Sequence, residues 1–146
     1  MATGYKSIVV AVDGSKEADY AFRKSLEIAY RNKGSQLNLV NIIDTRYLGP
    51  LDKEIAGQVK EQSQQILERY KARAAAARVE NVTIIIEYGS PKTVITKEIA
   101  KLVKADLIIC GATGHTPVER YLIGSVSEAI VRSAKCDVLV VRTPAE

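Results

Sequence analysis

Apolar positions along this chain fall into two alternating patterns. Short continuous runs occupy Ser7 to Val12, Leu37 to Ile43, Val82 to Tyr88, Asp106 to Cys110 and Asp137 to Arg142. Runs of that length, rich in Val, Ile and Leu, predict strands buried on both faces, as in a parallel sheet covered by helices. Between them the spacing changes to helical. Ala18, Ala21, Phe22, Ser25, Leu26 and Ala29 form one stripe, and Val94, Ile95, Ile99, Leu102 and Val103 another. A longer amphipathic segment from Lys53 to Arg78 places Ile55, Val59, Gln62, Ile66 and Tyr70 on its apolar face. Val126, Ala129, Ile130 and Ser133 line the last helix. Such stripes predict helices packed on a sheet, with the charged faces in solvent.

Punctuation agrees with this division. Ser15 is a suitable N-cap after Asp13-Gly14, and Gly34 ends the same helix. Gly89 turns the chain, after which Ser90 and Pro91 supply an N-cap and an N1 proline. Residues 44–52 read as a loop around Gly49-Pro50. Strands alternating with helices predict a single α/β domain over 1–146, a five-stranded parallel Rossmann-like sheet of order 3-2-1-4-5. Ligands of such sheets sit beyond the carboxyl ends of the strands where the order reverses. Here that is between the first and fourth strands, beside Asp13-Gly14-Ser15 and the stretch from Gly111.

Composition changes this picture little. The 146 residues, 47% apolar and 26% charged, suit one soluble globular domain with a substantial core. No apolar run reaches a membrane span, and no signal-peptide core precedes the first strand, so a cytoplasmic location is the default expectation. The net charge of +4 is interleaved with acids, and Trp is absent, which argues against a nucleic-acid-binding stripe. Cys110 and Cys136 are too few for a disulfide framework. If they lie at opposite ends of adjacent strands they are about 15 Å apart, and both read as buried small hydrophobes.

The chemistry concentrates in one place. Gly111, Gly114 and then Gly124-Ser125 bracket a loop between a strand and a helix start. Glycines there suit positive φ or close approach of backbone to a ligand, and a helix N-terminus favours an anion. A phosphate cradle is one reading. The other is a turn at Gly111 and a capping box made by Ser125 and Glu128, with no ligand at all. No Lys follows the glycines, so this is not a Walker A loop. Asp13 likewise has two readings, a turn residue or a carboxylate that accepts from a ribose or base donor. His115, the one histidine, lacks nearby partners for a metal site or an oriented triad. It faces water or donates near the phosphates.

The spacing Gly111, Gly114, Gly124, Ser125 resembles the G-x2-G-x9-G-[ST] motif of the universal stress protein family. Ile8 to Ser15, Leu39 to Asp44, Gly89 to Pro91 and Gly124 to Val141 are similar to that family too. The resemblance implies the ATP-binding branch, with nucleotide as a regulatory ligand in a stress response. It places Ala11, Val12 and Asp13 on the adenosine side, with Asp13 nearest the ribose, and Ile42 against adenine. Cys110 and Gly111 would lie along the ribose and α-phosphate. Gly114, Gly124, Ser125, Val126 and Ser127 would hold the phosphates through backbone N–H groups and two hydroxyls. One departure is Ala11, where some ATP-binding members carry proline. Mg2+ or Mn2+ could accompany ATP through phosphate oxygens and water. The resemblance also implies a homodimer through Val138 to Arg142. Two alternatives stay open: a slow ATPase or nucleotidyl transferase in the same crevice, and a nucleotide-free dimeric scaffold. Phosphoryl transfer needs dense positive charge, and only Arg120 in the intervening loop is at hand.

Overall fold

The computed structural model describes residues 4–44, 53–112 and 124–144. Strands β1 (Ser7–Ala11), β2 (Gln36–Ile43), β3 (Val82–Tyr88), β4 (Leu107–Ala112) and β5 (Asp137–Arg142) form one sheet of order β3-β2-β1-β4-β5. Every pairing in it is parallel. Helices α1 (Lys16–Arg31) and α2 (Lys53–Ala76) cover one face. The other face carries α3 and α4 (Ser125–Ser133). Helix α3 is composite: an α-turn over Pro91–Val94, a π-turn over Ile95–Ile99 and a last α-turn over Ala100–Leu102. Among the described residues no helix is long and apolar enough to cross a membrane.

The strand period of two divides the core. Ile8, Val10, Leu37, Leu39 and Ile109 face α1 and α2, where Phe22 and Leu67 meet them. Val9, Val40 and Ile108 face α3 and α4, against Val94, Ile95, Ile99 and Ile130. Phe22 and Tyr70 join α1 to α2 edge to face, with ring centroids 4.7 Å apart. Ser15 caps α1 as expected, its Oγ accepting from the Ala18 N–H at 3.1 Å.

Three expected helix faces need correction. The buried side of α2 runs through Ser63, Leu67, Tyr70 and Ala74, while Gln62 and Ile55 are exposed. Ser63 can be buried because its hydroxyl donates to Asn41 Oδ1 at 2.6 Å, so a core position looks polar in the sequence. Leu102 is 73% exposed, since the wider π-turn delays the phase by about one residue and returns Val103 to the sheet instead. On α4, Ser133 is exposed and Ser127 is buried. Again a hydroxyl with a partner inside, here Gly111 O, displaces the apolar pattern.

The register places the crevice. β1 pairs with β4 from Ile8↔Leu107 only to Val10↔Ile109. On its other side β1 stays with β2 through Ala11↔Val40, and the Val12 N–H donates to Val40 O at 2.8 Å. Past Val10, therefore, β1 follows β2 and parts from β4. The sheet splits there.

Candidate functional site

That split opens a cleft of about 360 Å3 at the carboxyl ends of the strands. Ala11, Val12 and Asp13 come from the end of β1, Val40, Asn41 and Ile42 from β2, and Cys110 and Gly111 from β4. The start of α4, Gly124 to Ser127, forms the opposite wall, with Pro91 and Ile95 of α3 beside it. Every site residue expected from the sequence lines this one cleft except Gly114, which lies outside the described residues with His115 and Arg120. Ser15, expected beside the crevice, lines it too, and Glu17, Asn41, Pro91 and Ile95 also line it and were not expected. Pro91 had a signal, since an N1 proline after a strand marks a helix start at the same end of the sheet.

The two readings of Asp13 meet in one geometry. Its Oδ1 accepts from the Ser15 N–H at 2.9 Å, which closes a tight turn over Gly14 at φ 86°. That turn holds the Asp13 carboxylate, itself exposed, at the cleft mouth. Glu17, one step into α1, is the other charged residue in the described lining. The rest of the wall is mainly aliphatic: Ala11, Val12, Val40, Ile42, Ile95 and Ile130.

The α4 start does not form the expected capping box. Gly124 is the N-cap, with φ −60° and ψ 158°, and among the described residues no side chain caps the helix. Ser125 is already the first helical residue, so it cannot close the box. Glu128 instead pairs with Arg132 at 2.7 Å. The first-turn N–H groups thus face the cleft without a side-chain cap among the described residues, and they carry the positive end of the helix dipole. Gly124 has a φ that any residue adopts, so its conformation does not demand glycine.

Ser127 departs from the expected role. Its hydroxyl donates to Gly111 O at 2.9 Å and ties α4 to β4. A proton given to that carbonyl is not available to an anion, which leaves Ser125 as the free-standing hydroxyl of the helix start. Gly111 also departs from expectation. It lies in β4, paired with Val141, and is not among the positive-φ glycines. A Cβ there would stand 2.6 Å from the Glu17 carbonyl oxygen, so glycine is needed for α1 to pack on β4. Cys110 is buried, and burial pushes its thiol up, with a smaller opposing effect from the Ser127 hydroxyl. Burial, then Asp137 and Asp106, raises Cys136 as well. Both cysteines are free, and both stay protonated at neutral pH.

An aliphatic slot ending at an open helix N-terminus, with a carboxylate at its mouth, suits a ligand with a flat apolar part and an anionic end. Known proteins are similar to this chain in sequence and in architecture. A universal stress protein from Staphylococcus saprophyticus is 49% identical over 142 residues, covering 95% of this chain and 84% of that protein. A universal stress protein solved in complex with cAMP superposes with a TM-score of 0.75 at 27% identity, covering 97% of this chain and all of the other. A family member from Arabidopsis thaliana with AMP bound gives a TM-score of 0.73 at 26% identity, covering 96% and 93%. The model of the universal stress protein family matches residues 4–142, and the chain belongs to that family.

Proposed function

We propose that the protein binds an adenine nucleotide, ATP foremost, in the β1–β4 cleft, and that the nucleotide acts as a regulatory ligand of a dimeric stress-response module. The observation that carries this reading is the pairing of an aliphatic slot with the start of α4, uncapped among the described residues, in one cleft. Ile42 and Val40 suit an adenine face, Asp13 a ribose hydroxyl, and the N–H groups of Ser125 to Ser127 a phosphate. The AMP and cAMP complexes of related proteins support the adenosine half and one phosphate. The further phosphates of ATP rest on the motif, of which Gly111, Gly124 and Ser125 border the cleft. A divalent cation would be held chiefly by phosphate oxygens and water.

Nucleotide should stabilise the native state by mass action. At about 100 times Kd the gain is roughly 2.7 kcal/mol, a rise in Tm on the order of 5–10 °C. Thermal melts with ATP and Mg2+, AMP and cAMP read this directly. No shift with any of them at millimolar concentration, and no nucleotide carried through purification, would overturn the proposal. Phosphate release above background would add a slow ATPase activity to the same site.

Ser125→Ala separates ligand contact from helix capping. Because Ser125 is exposed and does not cap α4, its loss should change stability by less than about 0.5 kcal/mol. Nucleotide affinity should fall by about tenfold or more, as expected for one hydrogen bond to a charged group. Unchanged affinity together with a lower Tm would return Ser125 to a purely structural role.

A further inference from the structure

The cleft depends on a side chain that no part of the glycine motif includes. Asn41 sits in the second half of β2, and its Nδ2 donates to Val12 O at 2.8 Å. Its Oδ1 accepts from the Ser63 hydroxyl of α2 at 2.6 Å. Ser63 is buried, so the amide is oriented from below: the oxygen faces α2 and the nitrogen faces Val12. Val12 is the residue just past the end of β1, where the strand has parted from β4. Its N–H is held by Val40 O, and its carbonyl is held by Asn41. The side chain of Asn41 thus extends the β1–β2 ladder by one bond beyond the strand. The tail of β1 stays on the β2 side, and the gap opens on the β4 side.

Two residues of the cleft are set by this arrangement. Asp13 follows Val12 directly, and Ile42 follows Asn41 directly. We propose that Asn41, oriented by Ser63, is the positioning residue of the nucleoside half of the site, fixing the Asp13 carboxylate relative to the Ile42 wall. This rests on the adenine-nucleotide reading above. It adds that α2, through Ser63, sets the geometry in which base and ribose are received. Removing the amide frees the Val12 carbonyl and lets the end of β1 relax toward the gap.

Asn41→Leu keeps the shape and removes both hydrogen bonds. It should weaken AMP and ATP by the same factor, about tenfold, because the loss lies in the part they share. Ser63→Ala should act in the same direction but less, and the double variant should be no worse than Asn41→Leu alone. Asn41→Asp keeps the acceptor for Ser63 but, once ionised, cannot donate to Val12 O. Its nucleotide affinity should therefore recover as the pH falls and the carboxyl is protonated, whereas the wild type should show no such recovery. Calorimetric titration of AMP and ATP, with thermal melts of every variant, provides the readouts. Parallel losses for both nucleotides and acid recovery of Asn41→Asp support the proposal. A lower Tm with wild-type Kd in Asn41→Leu overturns it, making Asn41 only a filler at the sheet end. If Asn41→Leu does not fold, Asn41→Asp decides, and affinity flat with pH overturns the proposal. A wild type that binds neither AMP nor ATP removes the nucleotide reading itself and this inference with it.

Discussion

Gly111→Ala is expected to cost about 3 kcal/mol and to lower Tm on the order of 10 °C. The added Cβ would lie 2.6 Å from the Glu17 carbonyl oxygen and 2.9 Å from its carbonyl carbon. Both atoms belong to the backbone of the first turn of α1, so no side chain can rotate away. Either α1 lifts or β4 bends, and each move disturbs a cleft wall, since Glu17, Gly111 and Cys110 all line it. Nucleotide affinity should fall with stability. Gly57→Ala is the matching control. Gly57 lies in α2, where an added methyl would meet nothing within 4 Å, and alanine is the better helix former by about 1 kcal/mol. That variant should melt slightly above the wild type with unchanged affinity. Equal Tm for Gly111→Ala and wild type in paired melts would show that α1 does not press on β4.

The contrast between these two glycines shows what the chain discloses on reading. Spacing marks Gly111 as important, but assigns its importance to a ligand or a turn. The physical cause is the backbone of a helix far upstream, which no local pattern records. The covered parallel sheet was legible because continuous Val and Ile runs leave few alternatives to it, and once the order 3-2-1-4-5 is assumed the crevice follows. Ile8 to Val10 and Ile108-Ile109 sit in the core as that pattern implies. Helix faces were less legible wherever a buried hydroxyl had a partner. Ser63 and Ser127 stand outside the apolar stripes, and their place in the core is explained only by their acceptors, Asn41 Oδ1 and Gly111 O. Ser125 and Glu128 carry the letters of a capping box, yet the helix starts one residue too early for it to form. The π-turn in α3, which exposes Leu102, leaves no mark in the spacing of the apolar residues around it.

The wild-type protein is expected to sediment as a dimer, and interruption of β5 to release monomers. β5 is an edge of the sheet, paired only with β4, from Leu107↔Asp137 to Ala112↔Arg142. Val138 and Val140 pack toward one core and Leu139 and Val141 toward the other, yet all remain only half-buried. No proline, glycine or charge interrupts Val138 to Val141. The opposite edge, β3, differs, since Thr83 and Glu87 place polar groups along it. An apolar edge with outward N–H and C=O groups templates pairing, and a second copy related by a two-fold axis would satisfy it without leaving another edge open. Consecutive residues of a strand turn their N–H groups to opposite sides, so proline at 140 and at 141 removes one donor toward β4 and one toward the edge. The variant that loses the inward donor should be destabilised, and the one that loses the outward donor should stay folded as a monomer. Sedimentation at tens of micromolar, with and without ATP, reads both the wild type and the folded variant. A monomeric wild type, or a folded proline variant that remains a dimer, would show that this edge is covered by some other means.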